Sequence, residues 1–82
     1  MSRSTKNGSR LLELARREQG AVEVGLFWDR GTGEALVVVW NWSSGVCLQL
    51  EAGAEQAGYA FAHPYAFAAA CGVPAGDILQ AA

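Results

Sequence analysis

Residues 34–42 constrain the fold more than any other stretch of this chain. Ala35, Leu36, Val37, Val38, Val39 and Trp40 are apolar without interruption. Successive side chains of a β-strand point to opposite faces, so a strand of this composition is apolar on both. Its valines, stiff at χ1, favour a strand over a helix. A turn stands on each side, Asp29-Arg30-Gly31-Thr32-Gly33 before and Ser43-Ser44-Gly45 after, with glycines that allow positive φ. Outside the turns, Val22, Val24, Leu26 and Trp28 alternate with Glu23, Gly25 and Phe27, and Val46, Leu48 and Leu50 alternate with Cys47, Gln49 and Glu51. Both patterns have the period of a strand. Short turns between consecutive strands favour an antiparallel meander with residues 34–42 in the middle.

The flanks read as helices. Ser9 suits an N-cap, residues 10–19 a helix, and Gly20 the position just past its end. On a helical wheel Leu11, Leu12, Leu14 and Ala15 share one arc, with Arg10, Glu13, Arg16 and Arg17 opposite. After the meander the chain is rich in alanine. One helix is expected near residues 54–62, and a break at His63-Pro64, because proline lacks a donor and restrains the residue before it. A second helix runs from Pro64 to Cys71 and ends at Gly72-Val73-Pro74, with a short final turn over 77–82. The expected fold is α+β: an N-terminal helix, a three-stranded antiparallel meander and two short C-terminal helices, in the order α-β-β-β-α-α. It forms a single domain over residues 9–82, preceded by a flexible basic arm over 1–8.

A domain of 82 residues has room for one core. Val22, Val24, Leu26 and Trp28, with Leu36, Val38 and Trp40 and with Val46, Leu48 and Leu50, are expected to face it. That leaves Phe27, Val37, Val39 and Cys47 on the second face, around Gly25. Exposing such residues forfeits roughly 1.5–3 kcal/mol for each large apolar side chain. Something should cover them: the N-terminal helix, a sandwich of both helical segments, a second copy or another protein. The expectation is a non-enzymatic interaction module, a homodimer or an adaptor on a larger partner. Phe27, Val37 and Val39 would form the contact, aided by Leu11, Leu12 and Leu14. Trp40 and Trp42 share a strand face and are candidates for a stacking platform.

Charge suggests an alternative. Residues 1–17 hold Arg3, Lys6, Arg10, Arg16 and Arg17 against Glu13, while residues 18–82 hold Arg30 against seven acids. A basic arm of this kind is a candidate nucleic-acid contact. The spacing around Ala68, Gly72, Val73 and Ile78 has a helix-turn-helix flavour, yet the would-be reading helix 75–80 holds Asp77 and no basic residue. The α-β-β-β-α order is similar to that of double-stranded-RNA-binding domains, but Glu51-Ala52-Gly53-Ala54-Glu55 is acidic where those domains place lysines.

Enzyme chemistry has little to draw on. Cys47, His63 and Cys71 lack the close pairing of a zinc site. One histidine without an oxyanion loop does not make a nucleophilic site, and Gly31-Thr32-Gly33 lacks the lysine and helix of a phosphate loop. No cofactor is expected. With two cysteines, a polar and basic beginning, and no apolar run fit for a membrane, the expected location is the cytoplasm. Phe61-Ala62-His63-Pro64-Tyr65-Ala66, following a meander opened by Leu26-Phe27-Trp28-Asp29, resembles short proteins of high-GC actinobacteria. The resemblance spans about residues 21–70 and implies a small bacterial domain with no particular activity.

Overall fold

Residues 11–82 fold as four consecutive antiparallel strands followed by three short helices. The computed structural model describes residues 11–82; the arm expected over 1–8, with Arg3, Lys6 and the neighbouring Arg10, lies outside the described residues. The strands are β1 (Leu11–Gln19), β2 (Val22–Asp29), β3 (Glu34–Asn41) and β4 (Val46–Ala52), side by side in chain order. A 3-10 turn over Ala54–Gln56 leads into α1 (Ala57–Ala62), α2 (Pro64–Ala70) and α3 (Ala75–Ala81). The fold is α+β, but the order α-β-β-β-α-α is corrected: there is one strand more, one C-terminal helix more, and no helix over residues 11–19.

The segment read as an N-terminal helix is the edge strand β1. Its residues favour helix, but β2 offers an unpaired edge, and pairing along it outweighs a weak propensity. A bulge produced the helical appearance. Glu13 pairs with Phe27 and Ala15 with Leu26, which leaves Leu14 without a partner and shifts the alternation by one residue. Gly20 does adopt positive φ (62°), but in the tight turn between Gln19 and Val22, not at a helix end.

Turn chemistry sets the register of the other strands. The two remaining hairpins are built alike: Gly33 N donates to Asp29 O and Gly45 N to Asn41 O, each at 2.8 Å. In each, the first side chain accepts from the turn backbone, Asp29 Oδ1 from Gly31 N and Asn41 Oδ1 from Ser43 N and Ser44 N. Asp29 therefore pairs with Glu34, and Asn41 with Val46. Counting inward, Val24 meets Val39 and Leu26 meets Val37, while Val37 meets Leu50 and Val39 meets Leu48.

This register corrects the expected faces. The assignments for β2 and β4 hold, but β3 is in the opposite phase. Val37 and Val39 lie in the core at 0% exposure, with Val24, Leu50, Ala52, Ala60, Phe67, Ala68 and Ala81. Leu36, Val38 and Trp40 lie on the other face. All three helices pack on the Val37 side, so the sandwich does not form among the described residues.

Side chains from β1, from the β3–β4 turn and from α2 complete two of the helix ends, whose last carbonyls have no partner within a helix. Arg17 Nη2 donates to Phe61 O at 2.9 Å and Ala62 O at 3.3 Å, closing α1. Tyr65 OH donates to Ala81 O and Ser44 Oγ to Gln80 O, both at 3.1 Å, closing α3. The α2 end closes on itself around Gly72 (φ 90°): Gly72 N donates to Ala69 O and Val73 N to Ala68 O.

Candidate interaction face

One face of the sheet carries no helix among the described residues. Read across the strands, its rows are Leu11, Asp29 and Glu34; then Glu13, Phe27, Leu36 and Glu51; then Arg16, Gly25, Val38 and Gln49; then Glu18, Glu23, Trp40 and Cys47. Trp42 follows Trp40 on the same side, where the β3–β4 turn begins.

The centre of this face is covered by its own rings. A Cβ on Gly25 would come within 2.8 Å of Phe27 Cε1 and 3.2 Å of Trp40 Cζ3. Glycine is what lets the two rings lie against the backbone, edge to face with centroids 6.4 Å apart. Trp42 stacks on Trp40 at 6.5 Å and 12° between planes. The Arg16 guanidinium lies over the Trp40 ring, 5.4 Å from its centroid.

Polar contacts fix the positions of these groups. Arg16 donates to Glu13 Oε1 at 3.0 Å and is ion-paired through Nη1 with Glu23. The other Glu23 oxygen accepts from Trp42 Nε1 at 3.0 Å. Glu23 is 8% exposed, a carboxylate buried at the cost of its hydration and compensated by these donors. The Arg16 bond holds the Glu13 and Glu23 carboxyls below their ordinary pKa, with the Trp42 bond adding to the effect at Glu23. Both glutamates in turn hold the Arg16 guanidinium in its charged form. Trp42 keeps 66% of its surface exposed although both its ring and its N–H are held.

Charge is divided sharply between the faces. Of the eight acidic residues in the chain, Glu13, Glu18, Glu23, Asp29, Glu34 and Glu51 occupy this face, with Arg16 as its one strand cation. Among the described residues, six against one leaves the face at a formal −5. Elsewhere in residues 11–82, Arg17 and Arg30 balance Glu55 and Asp77. Toward the β2–β3 turn the face dips into a hollow of about 130 Å³, bordered by Asp29, Thr32, Glu34, Leu36, Gln49 and Glu51.

The residues expected to make contact are thus divided. Phe27, Trp40, Trp42 and Leu11 are on the helix-free face. Val37 and Val39 are in the core, Leu12 pairs with Trp28 on the helix side at 43% exposure, and Leu14 sits at the bulge at 51%. Of the basic set, Arg16 is tied into the carboxylate network and Arg17 into the end of α1. The sequence places Gly25 at the centre of this face and Glu23 and Glu51 at its edges but assigns them no role, and it does not reveal the acidic rows as a whole; alternation within the strands was the available signal. Cys47 is on the helix-free face, His63 between α1 and α2, and Cys71 at the end of α2, both thiols free. Among the described residues no group of three His, Cys, Asp or Glu could hold a metal ion, and no helix is long and apolar enough to cross a membrane. No protein-family profile, curated protein or solved structure matches this chain.

Proposed function

We propose that this protein is a non-enzymatic interaction module that engages a larger protein partner through the helix-free face of its sheet. One observation carries the reading: Trp42 is two-thirds exposed, yet stacked on Trp40 and anchored by its N–H to a buried carboxylate. An exposed indole held in one orientation loses little entropy on binding, and tryptophan and arginine dominate the energetic centres of protein interfaces.

Charge favours another protein over a second copy. Two such faces packed together would set one acidic surface against another, and like-charge contacts in an interface cost several kcal/mol. It also disfavours nucleic acid, whose phosphates this face would repel. The test is capture of partners by the full chain and by two single variants, Trp42→Ser and Leu79→Ser. Leu79 is 75% exposed on α3, in the helix layer, and serves as a control for loss of a large apolar group. A partner retained by Leu79→Ser and lost by Trp42→Ser is the expected result, with the protein alone sedimenting as a monomer at micromolar concentration. Equal capture by both variants sinks the reading; a dimer abolished by Trp42→Ser replaces it with self-association.

A further inference from the structure

Resting on that reading, we infer that the occupant of the helix-free face is a basic, extended polypeptide segment, with an arginine stacked on Trp42 and a second cationic side chain in the hollow between Glu34 and Glu51. The face already shows what it accepts. Its own Arg16 lies over the Trp40 ring while two carboxylates, Glu13 and Glu23, take its N–H groups. That is a guanidinium site built from a ring face and carboxylates, the combination in which arginine is bound best. Trp42 repeats the ring, and among the described residues no cation lies over it: the guanidinium found on this stack is the one over Trp40, and most of the outer indole is exposed.

The other end of the face supplies charge. The hollow of about 130 Å³ has Glu34 and Glu51 on its border, and among the described residues no lysine or arginine lines it. Between the two ends runs an apolar strip of Phe27, Leu36 and Val38. Leu36 and Trp42 are six positions apart along the chain, a span of roughly 20 Å at strand rise. An extended segment of about seven residues covers that span, with basic side chains near its ends and apolar ones between. The −5 of the face selects its sign, and the indole selects arginine over lysine.

The experiment is fluorescence anisotropy of labelled synthetic peptides of about eight residues, titrated with the full chain. One peptide has arginine near both ends and valine and serine between; the others replace arginine by lysine, glutamine or glutamate. The arginine peptide is expected to bind saturably and more weakly as salt rises, the lysine peptide several-fold more weakly, and the glutamine and glutamate peptides not measurably. Trp42→Ala should weaken binding by about tenfold, the value of a well-placed cation–π contact. Trp42→Phe keeps a ring but loses the Nε1 bond to Glu23 that orients it, so it should weaken binding less than Trp42→Ala. Glu34→Gln with Glu51→Gln should weaken binding and flatten its salt dependence. Thermal melts of each variant establish that the fold is intact.

Equal binding of the glutamine and arginine peptides overturns the inference, as does arginine-peptide binding indifferent to Trp42 and to both glutamates. If no peptide binds while partner capture still depends on Trp42, the interaction reading stands and the cationic occupant falls. If capture is also indifferent to Trp42, both fall.

Discussion

The two faces of the sheet are made by the same four strands and solve the same problem in different ways. On one, Val24, Val37, Val39 and Leu50 are aliphatic and buried beneath three helices. Among the described residues the one charged side chain on this face, Arg17, is used on the carbonyls that end α1. On the other, no helix arrives among the described residues, and the face covers its own centre with Phe27 and Trp40 laid over a glycine. Two of its carboxylates, Glu13 and Glu23, are drawn into a network around Arg16. The first face is closed by its own chain. The second is ordered without being closed, and order without closure is what an interaction surface needs. One position along a strand separates the two environments.

That single-residue separation makes the comparison easy to break. Val37→Asp puts an unpaired carboxylate among residues with no exposure and no donor for it, at a cost of more than about 4 kcal/mol. A small domain has about 5 kcal/mol to lose, so the variant should be largely unfolded in urea titration. Leu36→Asp, its neighbour on the half-exposed side, should lose roughly 1–2 kcal/mol and keep a cooperative transition. Equal damage at the two positions would mean that the faces are not distinct. The next largest effect belongs to Arg17→Met. It keeps much of the stem and removes the donors to Phe61 O and Ala62 O, for about 1–3 kcal/mol. Faster hydrogen exchange in α1 than in α3 would locate the loss, since α3 is held by Tyr65 and Ser44.

The sequence discloses these two faces unequally. Where polar and apolar residues alternate, as in Val22 to Trp28 and Val46 to Glu51, the inward phase is legible. In β3 it is not, because Leu36, Val37, Val38, Val39 and Trp40 are apolar at both parities. Its phase comes from the turns, which pair Asp29 with Glu34 and Asn41 with Val46, and a slip of one residue exchanges the faces. Edge strand β1 is harder still. Its leucines at 11, 12 and 14 trace a helical arc because a bulge breaks the strand period, and only pairing with β2 reveals it. Breaks governed by local backbone chemistry, at Pro64 and Gly72, are legible for the opposite reason: they depend on no distant partner. The pairing of Trp40 and Trp42 follows from their spacing alone. The six-acid face becomes visible only once β1 is a strand and β3 has its phase, and so the most informative surface was the least legible.

A smaller change sharpens the account of the open face. Gly25→Ala places a methyl group where Phe27 Cε1 lies at 2.8 Å. The Phe27 ring is half-buried and can swing outward, so the cost should be near 1 kcal/mol, at the low end for overpacking. The readout is the near-ultraviolet circular dichroism of the Phe27–Trp40 pair, which should lose intensity while the far-ultraviolet signal stays constant. An unchanged aromatic signal would mean that the rings do not rest on Gly25.

The smallest effect expected is the acid response of the Arg16 network, and its sign separates this network from a set of unpaired acids. Glu13 and Glu23 are both held below their ordinary pKa by Arg16, and Glu23 further by Trp42. A carboxyl depressed in the folded protein contributes fully above its unfolded value and loses that contribution as pH falls through its folded one. Stability and the Trp42 signal should therefore stay level from about pH 7 to about pH 5 and decline below the ordinary carboxylate range near pH 4. Repulsion among unpaired acids would give the opposite slope, with stability rising as the acids are neutralised. Added salt should shrink the decline, because the Glu13–Arg16 pair is exposed to solvent. In Glu23→Gln the amide oxygen still accepts from Trp42 Nε1 but carries no charge for Arg16, so the decline should be smaller while the indole stays in place. A Trp42 signal that moves in Glu23→Gln at neutral pH would show that charge, and not the hydrogen bond, orients the indole, and the open face would then owe its order to Arg16 alone.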